Sequence, residues 1–447
     1  MNDSFLDRLK RFDAADAVVF DQPASYTELL DAVRNWREFL SAHGVRAGDV
    51  VTLEGSSSLH TCAGMLALID LDTVVVPLTS LPAAKRAEFL DVAQAEVTIT
   101  VDTTGERVLQ RTGRRADHEW YRRLRQAGRP GLVLFSSGTT GRSKASVLDF
   151  GKVLARYGEP RRAQRILSFL NLDHIGGINT LFHTLSQGGA VVTVAQRTPD
   201  SIFAAIAAQR VEVLPTTPTF LNMVLISGAL ERYDTSSLRL ITYGTEPMPL
   251  PTLQRLRAAL PQVRLKQTYG LSEVGIVPTR SRDDGTLWVK LGASAGFAYK
   301  IVDDILWVKS DMAMLGYLNA PAPFDDEGYF NTQDVVEVDG EYVHILGRRS
   351  EIINVGGEKV YPTEVENVLL EVPNVADATV SGQPSPVTGM VVKAVLRLAE
   401  PEDPQAVRAR VRAHCRSRLE RFKVPQLIEV SGADQHSERF KKIRVAR

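Results

Sequence analysis

Four apolar stretches each break off into a loop of glycines, hydroxyls and acids, and this pattern restricts the chain more than anything else in it. Leu132–Phe135 runs into Ser136-Ser137-Gly138-Thr139-Thr140-Gly141, and Ile166–Leu172 into Asp173-His174-Ile175-Gly176-Gly177. Leu238–Tyr243 runs into Gly244-Thr245-Glu246-Pro247, and Val263–Lys266 into Gln267-Thr268-Tyr269-Gly270-Leu271-Ser272-Glu273. Helical stretches separate these strands, and strand, helix, buried strand is the grammar of a parallel, doubly wound sheet. Ligands of open α/β sheets lie beyond the carboxyl ends of the strands. If the four strands neighbour one another, all four loops line a single site.

The same grammar starts earlier. Ser25-Tyr26-Thr27-Glu28 carries a capping pattern, Leu29–Leu40 keeps a helical period, and Gly44 ends the helix. Strands are expected at Val50–Leu53 and Val74–Pro77, with a helix between them. Between about 285 and 345 short strands and turns predict a small β-rich subdomain or barrel. After Gly347-Arg348-Arg349-Ser350 a compact α+β module is expected, with helices opening near Pro362 and at Asp403-Pro404 and the latter running to Phe422. The expected fold is therefore α/β: a large N-terminal domain of doubly wound sheets plus a small barrel, residues 1–346, and a mobile α+β C-terminal domain, residues 347–447.

Length and composition bound the function. At 447 residues the chain exceeds one compact core. Lys+Arg and Asp+Glu both number 53, and so even a balance argues against general binding to nucleic acid or to an anionic membrane. Two distant cysteines, Cys62 and Cys415, make neither a disulfide framework nor a zinc site and fit a reducing cytoplasm. The N-terminal segment is too often interrupted by charge for a signal peptide, and no apolar run approaches the roughly 20 residues that span a bilayer. A cytoplasmic, multi-domain globular protein is expected.

The segment Ser136-Ser137-Gly138-Thr139-Thr140-Gly141-Arg142-Ser143-Lys144 is the strongest local signal. Glycines admit backbone N–H groups close to an anion, hydroxyls add donors, and Lys144 supplies a point charge for phosphate. The lysine spacing is not that of a Walker loop.

Read with the other loops, this segment resembles the phosphate loop of the acyl-adenylate-forming superfamily: acyl- and aryl-CoA synthetases, luciferases and peptide-synthetase adenylation domains. Tyr26–Pro77 is similar to that family's amino-terminal core, and Tyr269-Gly270-Leu271-Ser272-Glu273 to its Tyr-Gly-x-Thr-Glu element. Gly316-Tyr317 and Thr332-Gln333-Asp334 follow in family order, Gln333 standing where the family usually has glycine. Gly347–Ser350, Gly356-Gly357-Glu358-Lys359-Val360 and Glu364-Val365-Glu366 resemble its hinge and the start of its mobile domain.

The resemblance implies a role for each matched residue. Ser136, Ser137, Gly138, Thr139, Thr140, Gly141 and Lys144 would cradle the phosphates of ATP, and Ser272 would direct its hydroxyl at the α-phosphate. Glu273 would hold Mg²⁺. Tyr269 and Gly270 would face adenine, with Thr245, Glu246 and Pro247 on the base's other side. Asp334 would accept both ribose hydroxyls, and Arg348 would reach ribose or phosphate. His174 matches a gate beside the acyl pocket. Ile175 stands where amino-acid-activating relatives place an aspartate, and a buried, unpaired ammonium is costly, which argues against an α-amino acid. Of the tail Phe440-Lys441-Lys442-Ile443-Arg444, Lys442 aligns with the lysine that bridges carboxylate and phosphate, with Lys441 as its rival. Ser350 would be the hinge, and Gly356 and Gly357 would line a thiol tunnel after rotation.

The implied activity is an ATP-dependent, AMP-forming ligase of secondary metabolism that joins a small aryl or acyl acid to coenzyme A. Transfer to the phosphopantetheine of an acyl carrier protein, or to an amine, is the alternative. A non-catalytic nucleotide-binding relative is a different class again. The acid itself and the oligomeric state are not legible in the sequence.

Overall fold

The computed structural model describes residues 5–20, 22–136, 143–159, 161–292, 296–432, 436–437, 440–442 and 444. Local chemistry sets the first long helix, Tyr26–Ala42. Ser25 Oγ accepts the Glu28 N–H at 3.2 Å while Glu28 receives the Ser25 N–H at 2.7 Å, so two otherwise orphaned donors are satisfied reciprocally. Such a cap stabilises by about 1 kcal/mol. Tyr26, Leu29, Val33, Trp36 and Leu40 recur at helical spacing and are the buried face.

Two seven-stranded sheets form the bulk of the molecule. One runs Gly316–Tyr317, Lys144–Asp149, Gly131–Ser136, Val74–Leu78, Val50–Glu54, Val97–Val101 and Arg107–Arg111, parallel at its centre and antiparallel at its edges. The other runs Arg264–Gln267, Leu240–Tyr243, Val213–Thr216, Arg165–Leu167, Ala190–Val192, Asp16–Phe20 and Gln22–Ser25, parallel except for the last strand. The four strands singled out in the sequence therefore do not share a sheet. Gly131–Ser136 belongs to the first and the other three to the second, so their loops meet from two sheets rather than along one edge.

The strand expected to reach Leu172 stops at Leu167. Beyond it the chain turns under the start of helix Ile175–Ser186. A side chain on Gly177 would meet the Asn171 carbonyl oxygen at 2.0 Å, so only glycine permits that close approach. The helix opened by Asp403 likewise ends at Arg418, short of Phe422.

A six-stranded antiparallel sheet follows, running in order Thr279–Ser281, Trp288–Leu291, Tyr342–Arg348, Phe330–Asp339, Ile305–Ser310 and Phe297–Val302. Its last rung pairs Asp334 with Arg348. The single turn Arg349–Glu351 then leads into Ile353–Val355, the first strand of a five-stranded C-terminal sheet with a core of its own. The break in pairing thus lies between Arg348 and Ile353, and exposed Ser350 is at its centre. The C-terminal part rests on helices Pro218–Ser227 and Leu250–Ala259. There Asn222 Nδ2 donates to the Ala376 carbonyl at 3.0 Å and the Leu250 N–H to Asn367 Oδ1 at 3.2 Å. Both cysteines are buried and free. Among the described residues no helix is long and apolar enough to cross a membrane.

Candidate active site

Glu273 sits in the turn between the paired strands Tyr269–Leu271 and Gly275–Val277 and is only 8 % exposed. Its Oε1 accepts the Tyr317 hydroxyl at 2.8 Å and the Ser136 hydroxyl at 3.4 Å. Ser136 is the last residue of its strand, so this contact joins the phosphate-loop candidate of one sheet to the acid that follows the edge of the other. Burial, and then the charge of Glu273, push the Tyr317 hydroxyl far above an ordinary phenol, so it stays a donor. The Lys144 ammonium lies 5.2 Å from the centre of the Tyr317 ring. Asn319 fixes the far side of the loop, donating to the Ser143 carbonyl at 2.8 Å and accepting the Ala145 N–H at 3.1 Å. Ser137, Gly138, Thr139, Thr140 and Gly141 lie outside the described residues.

A second buried carboxylate lies one strand away. Asp334 accepts the Tyr269 hydroxyl at 2.6 Å, and Arg348 Nε stands 3.4 Å from its other oxygen. Burial raises the Asp334 carboxyl above its ordinary range, with the Arg348 guanidinium pulling the other way. Burial lowers Arg348, and the charges of Asp334 and Glu273 outweigh it, so the guanidinium stays charged. Gln333, beside Asp334, has φ +62°, a left-handed conformation that suits the family's glycine better than a glutamine.

The loop after Leu240–Tyr243 is strained. A side chain on Gly244 would meet the Thr268 carbonyl oxygen and hydroxyl at 2.6 Å. Thr245 has φ +74°, rare for a β-branched residue, and its buried hydroxyl has no hydrogen-bond partner. Glu246 turns back to accept the Thr219 N–H at 2.8 Å. Ser272 is half-buried in the turn that carries Glu273, and Gly270 belongs to the strand before it.

The remaining candidates are placed otherwise. His174 caps helix Ile175–Ser186, its Nδ1 accepting the Gly176 N–H at 3.0 Å. Gly356 and Gly357 form the exposed turn between Ile353–Val355 and Glu358–Val360, with nothing within 4 Å of where a side chain would start. Lys442 is directed into the C-terminal part: its ammonium lies 3.3 Å from Asp377 and 3.5 Å from Glu366 and donates to the Ala378 carbonyl. Arg444 takes the rest of Glu366, at 3.0 Å. Burial opposes ionisation of Glu366, yet Arg444 and Lys442 hold its carboxyl down at about 2. The tail also touches the N-terminal part, since the Lys442 N–H donates to Glu246 at 3.3 Å and Phe440 packs against Phe169 and Phe220.

The roles of Tyr317 and Asn319 were not read from the sequence, although Gly316-Tyr317 was visible as a motif. Glu366 was likewise seen only as part of a motif.

A magnesium ion fits Glu273. Among the described residues no cluster of three or more His, Cys, Asp or Glu could hold a metal, so an all-protein cage is not offered. One buried carboxylate beside a phosphate loop is the way Mg²⁺ is bound together with nucleotide phosphates and water.

Comparison with known proteins identifies the family. Residues 5–318 match the family described as AMP-binding enzyme, and residues 364–441 match the AMP-binding enzyme C-terminal domain. The 2-succinylbenzoate–CoA ligase of Bacillus velezensis is 31% identical over 337 residues, covering 68% of this chain and 66% of that one. The long-chain-fatty-acid–CoA ligase FadD13 of Mycobacterium tuberculosis is 25% identical, covering 91% of this chain and 89% of that one. The crystal structure of the anthranilate CoA ligase AuaEII in complex with anthranoyl-AMP superimposes with a TM-score of 0.83 at 20% identity, over 98% of this chain and 95% of that one. The chain belongs to the AMP-binding enzyme family, on the CoA-ligase branch of the acyl-adenylate-forming superfamily.

Proposed function

We propose that this protein adenylates a small aryl or acyl carboxylic acid with Mg·ATP and transfers the acyl group to coenzyme A, releasing AMP. The observation that supports the reading is the hydrogen bond from the Ser136 hydroxyl to buried Glu273, which joins the residue proposed to begin the phosphate loop to the carboxylate proposed to hold the metal.

The acid's carboxylate attacks the α-phosphorus and pyrophosphate leaves. Charge gathers on the phosphate oxygens in that step, so fixed donors and cations lower the barrier. Ser136, Lys144 and Ser272 would supply them. The metal held by Glu273 would neutralise charge on the phosphates, its one contribution here. Asp334 would accept the ribose hydroxyls, held in place by Tyr269 and Arg348. Thr245, Glu246 and Pro247 would bound the base opposite Tyr269 and Gly270, and the strain at Thr245 is of the kind that persists at ligand clamps.

Lys442 would bridge carboxylate and phosphate once it leaves Glu366 and Asp377. Turning of the C-terminal part about Ser350 would then carry Gly356 and Gly357 to the thiol's path. His174 would stand beside the acyl pocket at the start of helix Ile175–Ser186, where its hydrogen bond to Gly176 fixes the ring.

Pyrophosphate release from Mg·ATP, run over a panel of aryl and aliphatic acids with and without coenzyme A, tests the proposal. Continuous release that depends on one class of acid and accelerates with coenzyme A is the expected result. A single burst indifferent to coenzyme A would reassign the acceptor to a carrier protein or an amine. No release with any acid, alongside intact ATP binding, would favour a non-catalytic relative.

A further inference from the structure

Four cations gather away from the nucleotide site, and among the described residues none is joined to a carboxylate. They come from three segments: Arg156 and Arg161 after the helix Phe150–Ala155, His183 on Ile175–Ser186, and Lys266 on the edge strand Arg264–Gln267. Arg156 donates to the Ile276 carbonyl, three residues beyond Glu273, with its guanidinium 5.8 Å from the Phe297 ring centre.

The topology turns them toward one another. Leu265 packs into the core on one face of its sheet, so its neighbour Lys266 points to the opposite face. That is the side of helix Ile175–Ser186, whose Ile175, Ile178, Leu181, Phe182 and Leu185 join the other core. The helix buries those residues and leaves Gly176, Asn179, His183 and Ser186 only half-buried, a single stripe at helical spacing. Asn179 in that stripe accepts the Tyr157 hydroxyl at 3.2 Å, which ties the stripe to the segment carrying Arg156.

Electrostatics agree with the geometry. Burial, then Arg161 and Arg156, lower the pKa of His183. Burial, then Arg264, Arg161 and Arg156, lower that of Lys266. Like charges held together without a counter-ion cost stability, and an anionic ligand group would supply what the chain does not.

The stripe begins at Gly176, next to His174, which the proposed function sets beside the acyl pocket, and reaches His183 seven residues on. At the rise of an α-helix that is about 10 Å. We infer that Arg156, Arg161, His183 and Lys266 form a subsite for a second anionic group, a carboxylate, at the far end of the acid substrate, so the preferred substrate is a dicarboxylic acid. This deepens the ligase reading and rests on it for the position of the first carboxylate.

The test compares linear dicarboxylic acids from adipate to sebacate with their mono-methyl esters. Pyrophosphate release and, separately, calorimetric binding to the full-length protein are measured for wild type, Lys266→Met and Lys266→Arg. The subsite predicts that the diacid of best-matched length is favoured over its half-ester, with Lys266→Met cutting kcat/KM for the diacid about tenfold to a hundredfold, the scale of one charge-assisted hydrogen bond. The half-ester should be little affected, and Lys266→Arg should keep most of the preference. Equal use of diacid and half-ester, in turnover and in binding, would overturn the subsite and leave the ligase standing. Tight diacid binding lost in Lys266→Met, without turnover of any acid, would support the subsite and overturn the ligase reading. A rise in KM for coenzyme A alone, with no diacid preference in wild type, would overturn the inference and give the cations to the thiol substrate's phosphates.

Discussion

The Tyr269 hydroxyl donates to Asp334 across 2.6 Å, and both residues are buried. Burial raises both groups, so the tyrosine remains a donor and ionising the carboxyl works against folding. A carboxyl whose folded pKa lies above its unfolded value near 3.9 favours the fold below that value and loses the advantage as pH rises through the folded pKa. Asp334→Asn should therefore be at least as stable as wild type at pH 7, with its relative advantage growing as pH rises above about 4. The same variant should bind AMP at least about tenfold more weakly, having lost a charged acceptor. Thermal melts across pH, paired with AMP titration, check this. A variant that melts well below wild type at pH 7 would show that Asp334 is structural.

Tyr317 and Ser136 both donate to Oε1 of Glu273. Tyr317→Phe removes a donor and leaves Ser136 as the one described partner of Oε1. The expected outcome is a higher magnesium requirement and a loss of roughly tenfold to a hundredfold in turnover, the worth of one hydrogen bond to a charged group. A magnesium titration of pyrophosphate release reads it. An unchanged titration curve contradicts the assignment of Glu273 to the metal.

Gln333 takes a positive φ beside Asp334, steadied by its own N–H donating to Asn331 at 3.0 Å. Gln333→Gly relieves the backbone while freeing the unfolded chain, and the first effect should win by up to about 1 kcal/mol. Chemical denaturation measures the difference. Clear destabilisation would mean that the bond the Gln333 side-chain amide donates to Asn331 at 2.6 Å, which glycine lacks, outweighs the conformational strain.

Glu366 binds Lys442 and Arg444 in the C-terminal part. Its carboxyl is held at about 2, so its contribution is complete above its unfolded value and disappears as pH falls through the folded one. The melting difference between wild type and Glu366→Gln should be steady above about pH 5 and shrink as pH falls below about 4. Lys442→Ala, by contrast, should lose about 3–5 kcal/mol of transition-state stabilisation in adenylation. Thioester formation from a supplied acyl-adenylate should persist. Full adenylation by this variant would transfer the role to Lys441.

Much of this was legible in the sequence because it is local. The Ser25–Glu28 capping box, the loop that begins at Ser136 and the turn carrying Glu273 each lie within a few neighbouring residues, where spacing and residue type carry the signal. What was not legible depends on pairing between distant segments. Apolar periodicity does not say which strand lies beside which, so it carries no sign that Gly131–Ser136 belongs to one sheet and the other three strands to another. Glu366 and Lys442 are 76 residues apart, and nothing in either segment names the other. Arg156, His183 and Lys266 stand on three separate segments, each unremarkable alone. The 137–141 stretch, the most informative in the sequence, lies outside the described residues.

The most direct test of the central claim uses an acid labelled with ¹⁸O in its carboxylate. If the acid attacks the α-phosphorus and coenzyme A then breaks the acyl–oxygen bond, one labelled oxygen must leave with AMP and none with pyrophosphate. Label in AMP, formed one-to-one with the thioester, is the predicted result. Unlabelled AMP, or label in inorganic phosphate, would contradict an acyl-adenylate route.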